Sequence, residues 1–370
     1  MKLCGIVAEY NPLHNGHIYQ MNKAREISGC DVLAAVMSGN FVQRGEAAVT
    51  DKWKRAEAAV RNGADIVFEL PYIYATQSAA KFAEGGVNIL KLAGADGICF
   101  GSECGNLENL QDIASTPVNP DHLHAAMDTG MSYPKAYSLL TSRMMPNDIL
   151  AVAYLKQIQG TDIKPYLVQR TNDYLSEELQ DIASAAAVRK ALKEKRDISA
   201  ATPMADILNT DEAVWMEQYY PYLRTFLLVT PRERLQEFFL FSEGIETLLQ
   251  EKAAECDDYV SFVRACTSYR YTAGRIRRCC LQALNQVTKE EVRKLPAMDW
   301  VRVLAFNETG RAWLKEKREN EVRFVTRFAE VPWPWRSLEY RTTQMYTSVM
   351  PEGKRKDLLL QEISHAVYVR

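Results

Sequence analysis

The sequence has little that would bias it toward one partner. Its 45 Lys and Arg stand against 47 Asp and Glu, a formal net charge of -2 over 370 residues. No global field therefore draws it to nucleic acid, and a basic surface must be local. It has only five histidines, and its eight cysteines include no C-x-x-C pair. Zinc ribbons and disulfide scaffolds are excluded on that ground, and the adjacent Cys279 and Cys280 suit neither an ordinary disulfide nor a zinc knuckle. Reduced, mostly buried thiols and no metal site are expected. No apolar stretch approaches the ~20 residues that a membrane helix needs. The first apolar run starts at Leu3 and passes straight into a motif, so a secretory leader is not expected. The expected location is the cytoplasm, with no membrane association and no protein partner. Internal repeats and low-complexity tracts are missing too.

What is present is an alternation. Apolar runs at Leu3 to Ala8, Asp31 to Met37, Asp65 to Leu70 and Gly97 to Gly101 read as strands. Amphipathic stretches at Gly16 to Ser28, Asp51 to Arg61 and Ser78 to Leu92 read as the helices between them, with Thr50 as a cap for the second. Such spacing means βαβ units and a parallel sheet. A helix at Asp148 to Ile158, a strand at Ile163 to Val168 and a helix at Ile182 to Lys195 follow. The expected class is α/β: a Rossmann-like parallel-sheet domain over residues 1–195, then a mostly α-helical domain over 196–370. Arg196 to Thr202 reads as a linker. Long helices are expected at Arg232 to Glu255 and Arg311 to Arg327, with breaks at Pro221, Pro231, Pro296 and Pro332 to Pro334.

The most informative segment is the turn after the first strand, ending in His14-Asn15-Gly16-His17. A helix N-terminus offers free N–H groups and a positive dipole end to an anion. Gly16 lets a nucleotide approach the backbone. His14 and His17 are three apart, so both imidazoles lie on one side of the first helical turn. Two donors aimed at the phosphates would stabilise the charge that grows as pyrophosphate leaves, each worth roughly 10²–10³ in rate. A zinc pair would need a third ligand, and only His122, His124 and His365 remain, none placed with the motif. Three later pieces fall at strand or helix ends able to face the same crevice. Gln43 and Arg44 follow the second strand, Gly101 ends the fourth, and Ser184 and Arg189 start a helix that can offer N–H groups and a cation to distal phosphates.

Together these motifs resemble the bacterial tRNA(Met) cytidine acetate ligases of the HxGH nucleotidyltransferase superfamily. The resemblance rests on VAEYNPLHNGH, MSGNFVQRGE, the block DKWKRAEAAVRNGADIVFELP (Asp51 to Pro71), FGSE, PNDIL, Val168-Gln169-Arg170, IASAAAVR, RYTAGRIRR and VRVLAFNETGR. It spans nearly the whole chain. It implies that acetate and ATP give acetyl-AMP and pyrophosphate. The acetyl group then passes to N4 of the wobble cytidine of elongator tRNA(Met), giving N4-acetylcytidine and AMP. ATP is thus a substrate, with Mg²⁺ as the default accompanying ion. By the same resemblance the ATP contacts are Val7, Ala8, Glu9, Tyr10, Asn11, Pro12, Leu13, His14, Asn15, Gly16, His17, Ile18, Tyr19, Gln20, Gly101, Asn147 and Arg170. The sequence departs from the family pattern at Asp148, Ala151 and Ala186.

One stretch carries local positive charge. Tyr259 to Val287 holds Arg264, Arg270, Arg275, Arg277 and Arg278, with Tyr269 and Tyr271 interleaved and no acidic residue. Arginine contacts phosphates and stacks on bases, so this is a candidate tRNA strip, with Arg264, Arg275 and Arg278 on one face of a helix. Lys52, Lys54 and Arg55 are candidates to extend it. Two other readings stay open. One is a small-molecule adenylyl- or cytidylyltransferase of the same superfamily. The other is a non-catalytic RNA-binding protein.

Overall fold

The computed structural model describes residues 1–117, 144–170, 183–209, 211–319 and 322–370. Ile182, His122 and His124 lie outside them. Its centre is a mainly parallel sheet. The strands are β1 (Leu3–Ala8), β2 (Val32–Ser38), β5 (Ile66–Leu70), β6 (Gly97–Ser102), β7 (Lys164–Gln169), β8 (Trp300–Phe306), β9 (Arg323–Val325) and β10 (Val367–Tyr368). A separate hairpin pairs β3 (Phe41–Val42) with β4 (Glu46–Ala47). The order across the sheet is β10-β8-β5-β2-β1-β6-β7, with β9 on β8.

Burial on both faces explains the unbroken apolar runs of the inner strands. Along β2, Leu33, Ala35 and Met37 enter one core while Val32, Ala34 and Val36 enter the other. The second core is closed by helices Ala79–Leu92 and Pro146–Ile158, which pack together. The first core continues without interruption into the C-terminal helices, through Tyr219, Leu249 and Ile276. Chain order runs β1, β2, β5 to one side and β6, β7 to the other. The switch of direction therefore lies between β1 and β6, where open α/β sheets bind their ligands.

Several expectations need correction. The C-terminal half is rich in helices, yet it also supplies β8, β9 and β10, and β8 lies antiparallel on β5. The sheet is thus not confined to residues 1–195. Strand β8 is a short apolar run broken only by Arg302 and buried on both faces, which periodicity cannot separate from a short buried helix. The helix expected over Arg232 to Glu255 is two, Arg232–Gln236 and Ile245–Glu255, parted at Gly244 with φ +80°. The helix expected over Arg311 to Arg327 ends at Glu316, and β9 follows. Pro221 lies inside helix Met216–Val229 instead of breaking it. Asp51, not Thr50, caps helix Lys52–Arg61, its carboxylate accepting from the backbone N–H groups of Trp53 and Lys54.

Lys52 and Arg55 are not a surface track. Lys52 is buried between Glu69 (2.5 Å) and Glu362 (2.9 Å), and Arg302 joins the same two carboxylates at 2.9 and 2.7 Å. Charges out of water persist only when paired in this way. The cluster ties β5 and β8 to helix Glu352–Glu362. Nearby Glu339 accepts from Tyr72 N–H, and burial together with Glu69 pushes its carboxyl up to about 8. Arg55 is fully buried and donates to the carbonyls of Glu9, Ser38, Gly39 and Thr50. It clamps the carboxyl ends of β1 and β2, from which the site loops emerge. Lys54 remains half-exposed.

Candidate functional site

The turn after β1 is locked before any ligand arrives. Tyr10 takes φ +47° and the Asn11–Pro12 peptide is cis. The Asn11 carbonyl of the side chain accepts from Val49 N–H at 2.9 Å, while its Nδ2 is buried without a hydrogen-bond partner. From the other side, Thr202 donates to the Leu13 carbonyl at 2.6 Å, and Asn15 donates to the carbonyls of Ala200 and Ala201. The segment expected as a linker thus braces the motif. It is short and mixed in composition, Arg-Asp-Ile-Ser-Ala-Ala-Thr, with no periodicity of its own, so the sequence alone reads as a spacer.

His14 caps helix Asn15–Ser28, its Nδ1 accepting from Gly16 N–H at 3.1 Å. His17 reaches back, its Nδ1 accepting from His14 N–H at 3.2 Å. The two rings stack, 3.7 Å between centroids, and Tyr10 meets His17 edge-on at 4.9 Å. His14 keeps 4% of its surface exposed, and His17 is partly exposed. A nitrogen that accepts a backbone N–H carries no proton. Both neutral rings therefore hold their proton on Nε2. Burial, then Arg170 and Arg189, pushes His14 down to about 3. Burial, His14 and Arg170 push His17 well below the usual histidine range. The pair is two neutral donors of fixed tautomer at physiological pH.

Cations surround them. Arg170 follows β7, its N–H bonded to the Ser102 carbonyl at 2.9 Å. A Cβ on Gly101 would sit 3.5 Å from the Arg170 side chain, so the two share one wall. Arg189 donates to the Asn11 carbonyl at 2.7 Å and lies 3.8 Å from Glu46. Ser184 caps helix Ala185–Lys193 by accepting from Ala187 N–H at 3.1 Å. Ala186 is exposed in that first turn. Gln43 donates its N–H to Glu9 at 2.8 Å, and Arg44 is exposed near that carboxylate. Burial raises the pKa of Glu9.

Asn147 opens helix Pro146–Ile158 beside the same wall. Its Nδ2 donates to Glu103 at 2.5 Å, and Glu103 also accepts from the N–H groups of Asn147 and Asp148. The departure at Asp148 has a local use: its carboxylate accepts from Ser102 Oγ at 2.5 Å and from the N–H groups of Glu103 and Cys104. Ala151 is fully buried in the core beneath. The sequence assigned no site role to Glu103 or Thr202, read Arg55 as a surface cation, and marked Asp148 only as a departure from the family pattern. Their partners lie on other elements, and the FGSE, DKWKR and PNDIL blocks held three of them without showing what they bond.

The structure thus gathers His14, His17, Gly101, Arg170 and Arg189 at the β1/β6 switch point, with Asn147 and Gln43 at its margins. Among the described residues no three His, Cys, Asp or Glu side chains form a cluster able to hold a metal ion. A pair of proton-bearing imidazoles, a helix N-terminus and two guanidinium groups are chemically suited to a polyphosphate.

Comparison with known proteins shows the family. The HIGH Nucleotidyl Transferase family model matches residues 1–360. The chain belongs to that family. Among its relatives, a tRNA(Met) cytidine acetate ligase from Limosilactobacillus reuteri is 39% identical over 365 residues, covering 95% of this chain and 97% of its own. One from Oceanobacillus iheyensis is 32% identical and covers 100% of both chains. Thermotoga maritima TmcAL has the same fold, with TM-score 0.90 over 100% of both chains. It is 29% identical in an apo crystal and 30% in one bound with alpha-thio ATP.

The basic stretch is distributed differently from the single strip expected within this family member. Two helices, Tyr259–Cys266 and Ala273–Leu284, replace one, because Thr272 starts a new helix by capping it. Arg264 is exposed on the first. Arg275 meets Glu243 at 3.1 Å and lies 5.1 Å from the Tyr271 ring centroid, and Arg270 is 3.7 Å from Glu243. Arg277 pairs with Glu46 at 2.7 Å, and Arg278 donates to the Gln43 carbonyl at 3.3 Å. The last two seat the β3–β4 hairpin on the helix. Gly45 at the hairpin tip has φ +78°, and a Cβ there would come within 2.6 Å of Arg277. No helix among the described residues is long and apolar enough to cross a membrane.

Proposed function

We propose that the chain is an ATP-dependent ligase that joins acetate to N4 of the wobble cytidine of elongator tRNA(Met). The observation that carries this reading is the pinned imidazole pair. Each Nδ1 is held by a backbone N–H, leaving two Nε2–H donors beside Arg170 and Arg189. An acetate oxygen attacks the α-phosphorus of ATP, the bond to the β-phosphate breaks, and pyrophosphate leaves. The imidazoles and guanidiniums stabilise the charge released onto it. Because they are neutral, the histidines donate without taking up a proton, and the work is positioning and electrostatics. In the second half, the cytidine amine attacks the acyl carbon of acetyl-AMP. The anhydride bond to AMP breaks and the amine gives up one proton.

Mg²⁺ enters in this account bound to the triphosphate, since the donor set around it is cationic and imidazole in character. The relatives' names support acetate and tRNA(Met) as the other substrates. Free cysteines and a tRNA substrate favour the cytoplasm. The division of labour we assign is ATP at the β1/β6 edge and tRNA on the helices after residue 195. Incubation with labelled acetate, ATP and tRNA, followed by nucleoside analysis, tests the whole. Label should appear in N4-acetylcytidine, in step with AMP and pyrophosphate. Label retained in acetate, with ATP unchanged, would refute the assignment.

A further inference from the structure

Next to the phosphate site lies a cleft of about 500 Å³ that the reaction as described does not use. That volume is in the range of small-ligand sites, roughly 300–1,000 Å³. Arg189 is the shared wall: it bonds the Asn11 carbonyl of the histidine loop and also lines the cleft. The opposite wall comes from helices Tyr259–Cys266 and Ala273–Leu284. The lining carries four cations, Arg189, Lys193, Arg264 and Arg277, against two carboxylates, Glu46 and Glu217. The excess is positive in a chain whose total is negative.

Two features mark the cleft as built for more than charge. Trp215 presents an indole face, over which the Lys193 ammonium sits at 5.3 Å. That ammonium is half-exposed and paired with Glu217 at 2.5 Å. Exposed pairs of this kind exchange readily for a phosphate. Tyr259 is 5% exposed, and its hydroxyl is buried with no hydrogen-bond partner. The same hydroxyl is within electrostatic reach of Arg277, Glu46 and Glu217, three residues of the lining. Buried polar atoms are nearly always satisfied, so an orphan on a side chain that lines the cleft points to a ligand that the ring turns to meet.

Resting on the assignment of an RNA acceptor, we propose that this cleft holds the single-stranded nucleotide adjacent to the cytidine that is acetylated. Its base stacks on Trp215, displacing the Lys193 ammonium, which turns to the phosphate together with Arg264. The Tyr259 hydroxyl meets a polar group of the nucleotide. Aromatic faces with flanking cations are how single strands are held without sequence readout, and a hydroxyl partner suits the 2′-OH of RNA. Arg189 then sets the distance between the neighbour and the α-phosphate.

The test uses the full chain and two readouts. Trp215→Ala and Tyr259→Phe should leave pyrophosphate formation from ATP and acetate unchanged. Trp215→Ala should weaken tRNA binding about ten-fold, the loss of one stacked base. Trp215→Phe should restore most of it, which controls for misfolding. Arg264→Ala should lower the slope of log affinity against log salt by about one. A five-nucleotide RNA centred on cytidine should compete with tRNA, and the same RNA with an abasic neighbour should not. Unchanged tRNA affinity in both Trp215→Ala and Tyr259→Phe would overturn the proposal. So would competition by an acidic peptide as strong as by the RNA, since that shows charge without stacking. If wild-type protein formed no acetylated tRNA at all, the functional assignment itself would fail, and that failure is read separately.

Discussion

The end we assign to the triphosphate and the end we assign to the acceptor are built by different means. At the first, four consecutive residues supply both imidazoles, the close-approach glycine and the helix start, and each ring is fixed by a backbone N–H within three residues. At the second, every arginine of the basic stretch except Arg264 is engaged by a group far away in sequence, such as Glu46 for Arg277 or Glu243 for Arg275. The histidine motif, made of neighbours, keeps its ring positions through the local chain, although Arg170 and Arg189 reach it from distant segments. A site made of distant segments exists only while the tertiary packing holds them together. Glu46 illustrates this, since it touches both Arg189 of one wall and Arg277 of the other.

The most drastic way to probe the contrast is to cut the halves apart. A fragment of residues 1–195 loses β8, β10, Arg302 and Glu362, and leaves Lys52 and Glu69 with fewer partners in a dry core. It should show no cooperative thermal transition in calorimetry, because stripping one side of a buried ion pair costs roughly 3–5 kcal/mol before the lost apolar contacts are counted. A sharp transition would show that the β1/β6 site is an independent domain.

Single substitutions sharpen the comparison next. His17→Ala should lower pyrophosphate formation roughly 10²–10³-fold, the worth of one preorganised donor, with tRNA retention on filters nearly unchanged. Arg275→Ala should do the opposite, weakening tRNA binding several-fold while pyrophosphate formation persists. Loss of both properties in both variants would mean that the two ends are not separable.

The smallest expected effect is an absence of one. Burial holds His14 at about 3 and His17 well below the usual range. Neither gains a charge between pH 8 and 5.5, so pyrophosphate formation should be flat across that interval for these groups. A rise on acidification through about 6.5 would identify an imidazolium donor instead. Stability behaves otherwise. The unfolded chain binds protons on these histidines near 6.5 that the folded chain refuses, so the fold weakens as pH falls from about 7 toward 3.

Legibility in the sequence followed the range of the interactions. Strands β1, β2, β5, β6 and β7 and the helices Asn15–Ser28, Lys52–Arg61, Ala79–Leu92 and Pro146–Ile158 were readable from their own periodicity, whereas the short helices Tyr72–Ala75 and Leu107–Ser115 were not expected. Strand β8 was not, because Trp300 to Phe306 looks the same whether it ends a helical half or extends a sheet. The role of Arg55 was equally hidden. A guanidinium that bonds four carbonyls from three loops reads, in a line of letters, as one more charge in DKWKR. The sequence also overstated its second motif, treating Arg264, Arg275 and Arg278 as one helical face where Thr272 starts a new helix.

The order of residues by itself settled the opening strand, the histidine turn and the helix it caps, because hydrogen bonds spanning two to four residues are encoded in place. Only the folded chain decided which cations face solvent, which are spent on carboxylates, and that the last third completes the sheet of the first. Those outcomes depend on burial, and burial is a property of what packs alongside, which no single stretch of sequence contains.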